Sequence, residues 1–179
     1  MIKRLADLGL VTYERYRGVR LTGPGKKAAL EIVRHHRLIE LYLHEALGVP
    51  WDRVHDEAEK LEHVISEDLE RRMAEALGDP THDPHGSPIP RLDGTQVRVD
   101  SQALADTAPG LRTIVAEVED RDASLLRHLA GLGLFPGTPI EVVRVEPFDG
   151  PFIVRTERGE VSLGRAAVDG IRVAVEGDA

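Results

Sequence analysis

The stretch HRLIELYLHEALGVPWDRVHDEAEKLEHVIS, residues 36–66, decides the fold of this chain. Apolar residues recur every three or four positions on both sides of Gly48-Val49-Pro50, a run that breaks a helix, so the stretch reads as amphipathic helices folded back on each other. The polar positions carry the chemistry. His36 and Glu40 stand at i and i+4 on the first helix. His55, Glu59, Glu62 and His63 fall at i, i+4, i+7 and i+8 on the second, within about 100° of one face if the helix is continuous. Two antiparallel helices would bring these six nitrogen and oxygen donors together, as metal-binding bundles do. The same residue types also populate solvated helix faces, and the residues alone leave both readings open.

The chain has no cysteine, which excludes disulfides, thiolate nucleophiles and zinc–thiolate sites. A metal here is held by imidazole and carboxylate, a donor set that suits Mn²⁺ or Fe²⁺, although intrinsic affinity ranks Zn²⁺ and Cu²⁺ higher. Carboxylate-bridged di-metal oxidases also use Glu and His on facing helices. Their Glu-x-x-His pair is expected twice and does not occur so here, and the chain is not expected to be an enzyme. His35, His44, His82, His85 and His128 are expected in surface or capping roles.

Upstream of the deciding stretch, Ile2, Leu5 and Leu8 form one helical stripe ending near Gly9. LVTYERYRGVRLT, residues 10–22, alternates around Arg17-Gly18 as a hairpin, and Thr22 with Pro24-Gly25 opens a helix expected to reach about Leu47. Residues 1–37 hold nine basic against three acidic side chains, a local excess of six that leaves −14 for the rest of a chain of net charge −8. A basic end on an acidic body suits a contact with nucleic-acid phosphates, and equally an ordinary solvated face.

Downstream, residues 51–77 continue as one helix or two, and GDPTHDPHGSPIPRLDG, residues 78–94, is irregular by its Pro and Gly content. A polar linker is expected next. TIVAEVE, SLLRHLAGLGL and the alternating runs IEVVRVE, FIVRTE, EVSLG and IRVAVE then suggest a compact five-stranded barrel with one helix. No apolar run approaches the ~18 residues that cross a bilayer, and the N-terminus has no secretory pattern; the expected location is the cytoplasm, with no membrane partner.

In order, HRLIE at 36–40, VHDEAEKLEHVIS at 54–66, LERRM at 69–73 and HDPHGSPIP at 82–90 resemble the diphtheria toxin repressor family of iron- and manganese-dependent regulators. LAGLGLFPGTPIEVVRVE, residues 129–146, is similar to the SH3-like (FeoA-like) domain of many members. The resemblance implies an α+β chain. Residues 1–28 would be part of a winged helix-turn-helix, 29–94 a helical metal-binding and dimerisation domain, 95–109 a linker, and 110–179 an SH3-like small β-barrel.

For the site, the resemblance implies a primary metal position at Glu59, Glu62 and His63, completed by a donor from a helix this chain lacks. It implies an ancillary position at His36, Glu40 and His55, with Asp122 a possible further ligand and Leu125 where an amide is expected. Glu at position 59, where iron-type members carry Cys, favours Mn²⁺ over Fe²⁺. The chain starts inside what resembles the recognition helix and enters the wing directly. Lys3, Arg4, Arg15, Arg17 and Arg20 are the residues expected to meet the phosphates of a double-stranded DNA operator. The implied protein is a homodimeric repressor of metal-homeostasis genes with the metal as corepressor. The alternative is a metal-binding dimer that does not bind DNA by itself.

Overall fold

Thr22 joins the basic end to the helical part. The computed structural model describes residues 1–14, 16–97 and 100–175. In it α1 (Ile2–Asp7) leads through Gly9 into a hairpin of β1 (Val11–Glu14) and β2 (Gly18–Leu21), paired from Val11 with Leu21 to Glu14 with Gly18. Thr22 then caps α2 (Gly23–Glu45): its Oγ1 accepts from Gly25 N at 3.1 Å and donates to Gly9 O at 2.6 Å. Gly25 is needed there, because a Cβ at that position would lie 1.8 Å from Leu10 O. None of the six α1 side chains is buried.

The second helical stretch is divided. α3 (Val54–Leu61) stops, and α4 (Glu67–Ala76) starts afresh at Ser66, whose hydroxyl accepts from Leu69 N at 3.3 Å. Glu67, Asp68 and Glu70 in the first turn of α4 complement its N-terminal dipole, so this is a genuine helix start. The continuous face expected for positions 55, 59, 62 and 63 is therefore corrected: Glu62 caps α3 and His63 lies in the turn beyond it. Leu38, Ile39, Ala58, Met73 and Ala74 form the core of this helical part.

Residues 78–94 remain irregular apart from one isolated bridge, and they are bound to α2 through its arginines: Arg34 donates to Pro90 O at 2.8 Å and Arg37 to Pro88 O. Two charges of the basic end are thus used internally. Beyond lie β3 (Gln102–Ala103), a short 3-10 turn (Leu104–Asp106), β4 (Arg112–Val118), α5 (Ala123–Leu132), β5 (Pro139–Val145), β6 (Phe152–Thr156), β7 (Gly159–Leu163), α6 (Arg165–Asp169) and β8 (Ile171–Val175). They build an open antiparallel sheet in the order β3-β8-β4-β5-β6-β7. Six strands replace the expected five because β3, inside the stretch read as linker, pairs with β8, and the adjacent Leu104 is fully buried in the sheet's core. Trp51, just past the helix-breaking Pro50, belongs to that same core and packs on Phe135 at 4.8 Å between ring centroids. The helical part is thereby anchored to the sheet.

Candidate metal centre

Glu40 is the centre of the site. One turn after His36 on α2, it has no exposed surface, and the antiparallel α3 brings His55 against it. His36 Nε2 lies 2.9 Å from Glu40 Oε1 and 3.1 Å from His55 Nδ1, and His55 Nδ1 is 3.1 Å from the same Oε1. On its other side His36 Nδ1 is 2.6 Å from Glu62 Oε2. Two carboxylates, both acceptors, therefore face the two nitrogens of one imidazole. Burial alone would lower the pKa of His36, but hydrogen bonds and charge from Glu40 and Glu62 outweigh it and raise it to about 9. Burial would raise that of Glu40, and the hydrogen bond and charge of His36, with help from His85 and His55, hold it below the usual carboxylate range instead.

The far side of Glu40 is less well served. Its Oε2 has no hydrogen-bond partner, and neither has Nδ1 of the fully buried His85, 3.9 Å away. His85 is held from the other ring nitrogen, which donates to Trp51 O at 2.8 Å, and its own carbonyl accepts from Val118 N at 2.9 Å. Gly86 makes that approach possible: its φ is +88°, and a Cβ there would meet Ala116 O at 2.0 Å. Asp83 completes the surroundings, accepting from the backbone of His85 and Ser87, each at 2.9 Å. Its burial, aided by the charge of Glu40, raises its pKa to about 8.

Among the described residues, ligand atoms of three side chains gather within 4.8 Å of one another in two places, His36–Glu40–His55 and Glu40–His85–Asp120. The first is a set of three expected together. Glu62 adjoins it through His36 and reaches His63 Nε2 at 3.2 Å. Glu59 and His63 are about two-thirds exposed, and Glu59 comes only within 3.9 Å of His55, so they join neither cluster. Asp122 stands apart from both clusters: its carboxylate caps α5, accepting from Ser124 N at 2.8 Å and Leu125 N at 3.3 Å. Asp120, two residues earlier and two past the end of β4, is the acid that faces the helices, 3.8 Å from His55 Nδ1. His85 and Asp120 were missed. Nothing in local spacing separates Asp120 from Asp122; only where β4 ends does.

A cleft lined by His36, His55, Glu62, Glu117, Asp120 and Arg172 opens the site to solvent. At the basic end Lys3, Arg4, Arg17 and Arg20 are exposed, Arg17 lying 3.4 Å from Glu14; Arg15 falls outside the described residues.

The donor set fits a divalent cation: two imidazoles and a carboxylate converge, with an orphaned carboxylate oxygen and an orphaned imidazole nitrogen buried behind them. Comparisons with known proteins agree in kind. Residues 22–91 match the family described as iron dependent repressor, metal binding and dimerisation domain, and residues 102–175 match the FeoA domain. The iron-dependent repressor IdeR of Mycobacterium tuberculosis is 32% identical over 185 residues, spanning 96% of this chain and 80% of that protein. The diphtheria toxin repressor of Corynebacterium diphtheriae is 37% identical over 115 residues, 64% of this chain and 49% of that protein. A solved manganese-dependent transcriptional repressor in complex with manganese superposes with a TM-score of 0.91 at 39% identity, over 97% of this chain and 81% of that one.

Proposed function

The chain belongs to the diphtheria toxin repressor family of iron- and manganese-dependent transcriptional repressors, and from that premise we propose that it is a homodimeric repressor of metal-homeostasis genes with Mn²⁺, and in second place Fe²⁺, as corepressor. One observation carries the reading: the buried Glu40 carboxylate with His36 and His55 converging on it from two helices. His36, Glu40 and His55 would hold one cation; Glu59, Glu62 and His63 would form a second position beside it, linked through Glu62. The bound ion supplies the positive charge that lets these donors stay buried together. His36 gives up its proton to bind, Glu40 stays ionised, and Asp120 brings the end of β4 against α3. The arrangement of helices and sheet with most donors in place is favoured over the others, a shift of population rather than a new contact made from nothing. In that arrangement Lys3, Arg4, Arg17 and Arg20 contact phosphates of duplex DNA; with Arg15 they position the protein without reading bases.

A second reading has its own support. α1 has six residues and buries none of them, so a helix this short has little to hold it in a groove. Under this reading the chain dimerises and binds metal but does not bind DNA by itself. Titrating Mn²⁺ and Fe²⁺ into the metal-free chain with a labelled promoter duplex at fixed salt separates the two. Retention that appears with Mn²⁺ and is lost in His36→Ala supports the repressor. A dimer that binds Mn²⁺ and leaves the duplex free supports the second reading, and a chain that binds neither ion removes both.

A further inference from the structure

His85 and Glu40 face each other with buried atoms that no hydrogen bond uses. Trp51 O can only accept, so His85 Nε2 donates the hydrogen bond at 2.8 Å and Nδ1 is the ring nitrogen left facing Glu40. Glu40 turns Oε1 to His36 and His55, which leaves Oε2 on the side of His85. Nδ1 and Oε2 are 3.9 Å apart, both fully buried, and neither has a partner. Buried polar atoms left without a partner are costly, and a cation held between these two would satisfy both. Glu40, His85 and Asp120 each bring a ligand atom within 4.8 Å of the others, and Asp120 also lines the cleft past His36, His55 and Glu62.

We propose that Glu40 bridges two divalent cations, one held through Oε1 with His36 and His55, the other through Oε2 with His85 Nδ1 and Asp120. This position, a third beside the two of the proposed function, deepens the metal-sensing reading and rests on it. A first-row divalent ion lies about 2.0–2.2 Å from imidazole nitrogen and carboxylate oxygen, so two of its donors are at most about 4.4 Å apart, and 3.9 Å is within that span. The donors come from three parts of the chain: α2, the loop at residues 78–94 and the stretch just past β4. The set of one imidazole and two carboxylates suits Mn²⁺ or Fe²⁺ by donor type. An ion at His85 and Asp120 would tie the sheet to the helices, which the trio of His36, Glu40 and His55 alone does not do.

The test is the number of Mn²⁺ ions bound per subunit, by equilibrium dialysis with elemental analysis, in the full chain and in His85→Phe and Asp120→Asn. His85→Phe keeps a ring against Trp51, which stacks on His85 at 5.5 Å between centroids; Asp120→Asn alters a half-buried side chain and guards against a folding defect in the first variant. Each variant is expected to bind one ion fewer than the parent. Trp51, the sole tryptophan, reports independently: the quenching that accompanies the last equivalent of Mn²⁺ in the parent should be absent from Asp120→Asn. An unchanged count with weaker binding would mean that His85 and Asp120 only complete the shell of one ion, and overturns the proposal. So does an unchanged isotherm, which would leave a water between His85 and Glu40. His36→Ala keeps the two failures apart: if it binds Mn²⁺ as the parent does, the primary trio itself is wrong.

Discussion

His36 is the residue at which proton and metal compete. Both of its nitrogens face carboxylates, and its pKa in the metal-free protein is raised from 6.5 to about 9. The sign follows directly. At neutral pH the free imidazole is protonated, and a cation can bind it only after that proton leaves, so apparent Mn²⁺ affinity should rise with pH up to about 9 and level off there. The slope from this group is about tenfold per pH unit at most. Without metal the same shift runs the other way for stability: the protonated pair favours the fold fully below 6.5, and that contribution is lost as pH rises through about 9. Calorimetry at pH 7 in buffers of different ionisation enthalpy should record about one proton released from this group on Mn²⁺ binding; no release would remove His36 as a ligand. Gly86 gives a second prediction at this scale. Gly86→Ala places a Cβ against Ala116 O in a left-handed backbone, and should lower the free energy of urea unfolding of the metal-free chain by more than ~1 kcal/mol.

At the scale of elements, α2 is the frame on which everything else is placed. One face carries His36 and Glu40 to the site, and an adjacent face carries Arg34 and His35 to Glu70 on α4, an acid that is almost fully buried. Glu70→Ala would leave the Arg34 charge without its partner, and should cost about 3 kcal/mol in urea unfolding, because removing one member of a buried pair strands the other. Glu70→Gln, which retains the shape and one acceptor, should cost less. The start of α2 was legible in advance because Thr22, Pro24 and Gly25 are local signals, as Arg17-Gly18 was for the hairpin. The trio His36, Glu40 and His55 was legible because i, i+4 spacing and antiparallel packing are both local consequences of helix geometry. The restart at Ser66 was the weak point: the apolar period runs through Ile65 without a phase change, and only the cap shows that the helix ends. His85 and Asp120 could not be found in this way. Their approach depends on a loop docking against β4, a contact between residues about thirty positions apart that no periodicity encodes.

For the whole molecule the relevant quantity is where the charge sits. The chain carries −8 overall, yet Lys3, Arg4, Arg17 and Arg20 are exposed at one end, while Arg34 and Arg37 are taken up internally. An acidic body repels a duplex in every orientation except the one that presents the basic end, so charge should set orientation as well as strength. In a homodimer each of these side chains occurs twice. If each contacts one phosphate, Arg20→Ala removes two contacts from the complex, and the slope of log K against log salt should become shallower by about 2, at about 0.9 per phosphate. The loss of affinity should be similar on different sequences, since phosphate contacts carry no base information. Mn²⁺ stoichiometry should stay as in the parent, because Arg20 lies on β2, away from the two clusters on α2, α3 and the stretch just past β4. Retention of a duplex measured from low to moderate salt, with Mn²⁺ saturating throughout, gives the slope. A variant with the parent's slope would place the DNA contact elsewhere than on the hairpin; a variant with a shallower slope and an unchanged metal count would separate the end that meets DNA from the part that senses the ion.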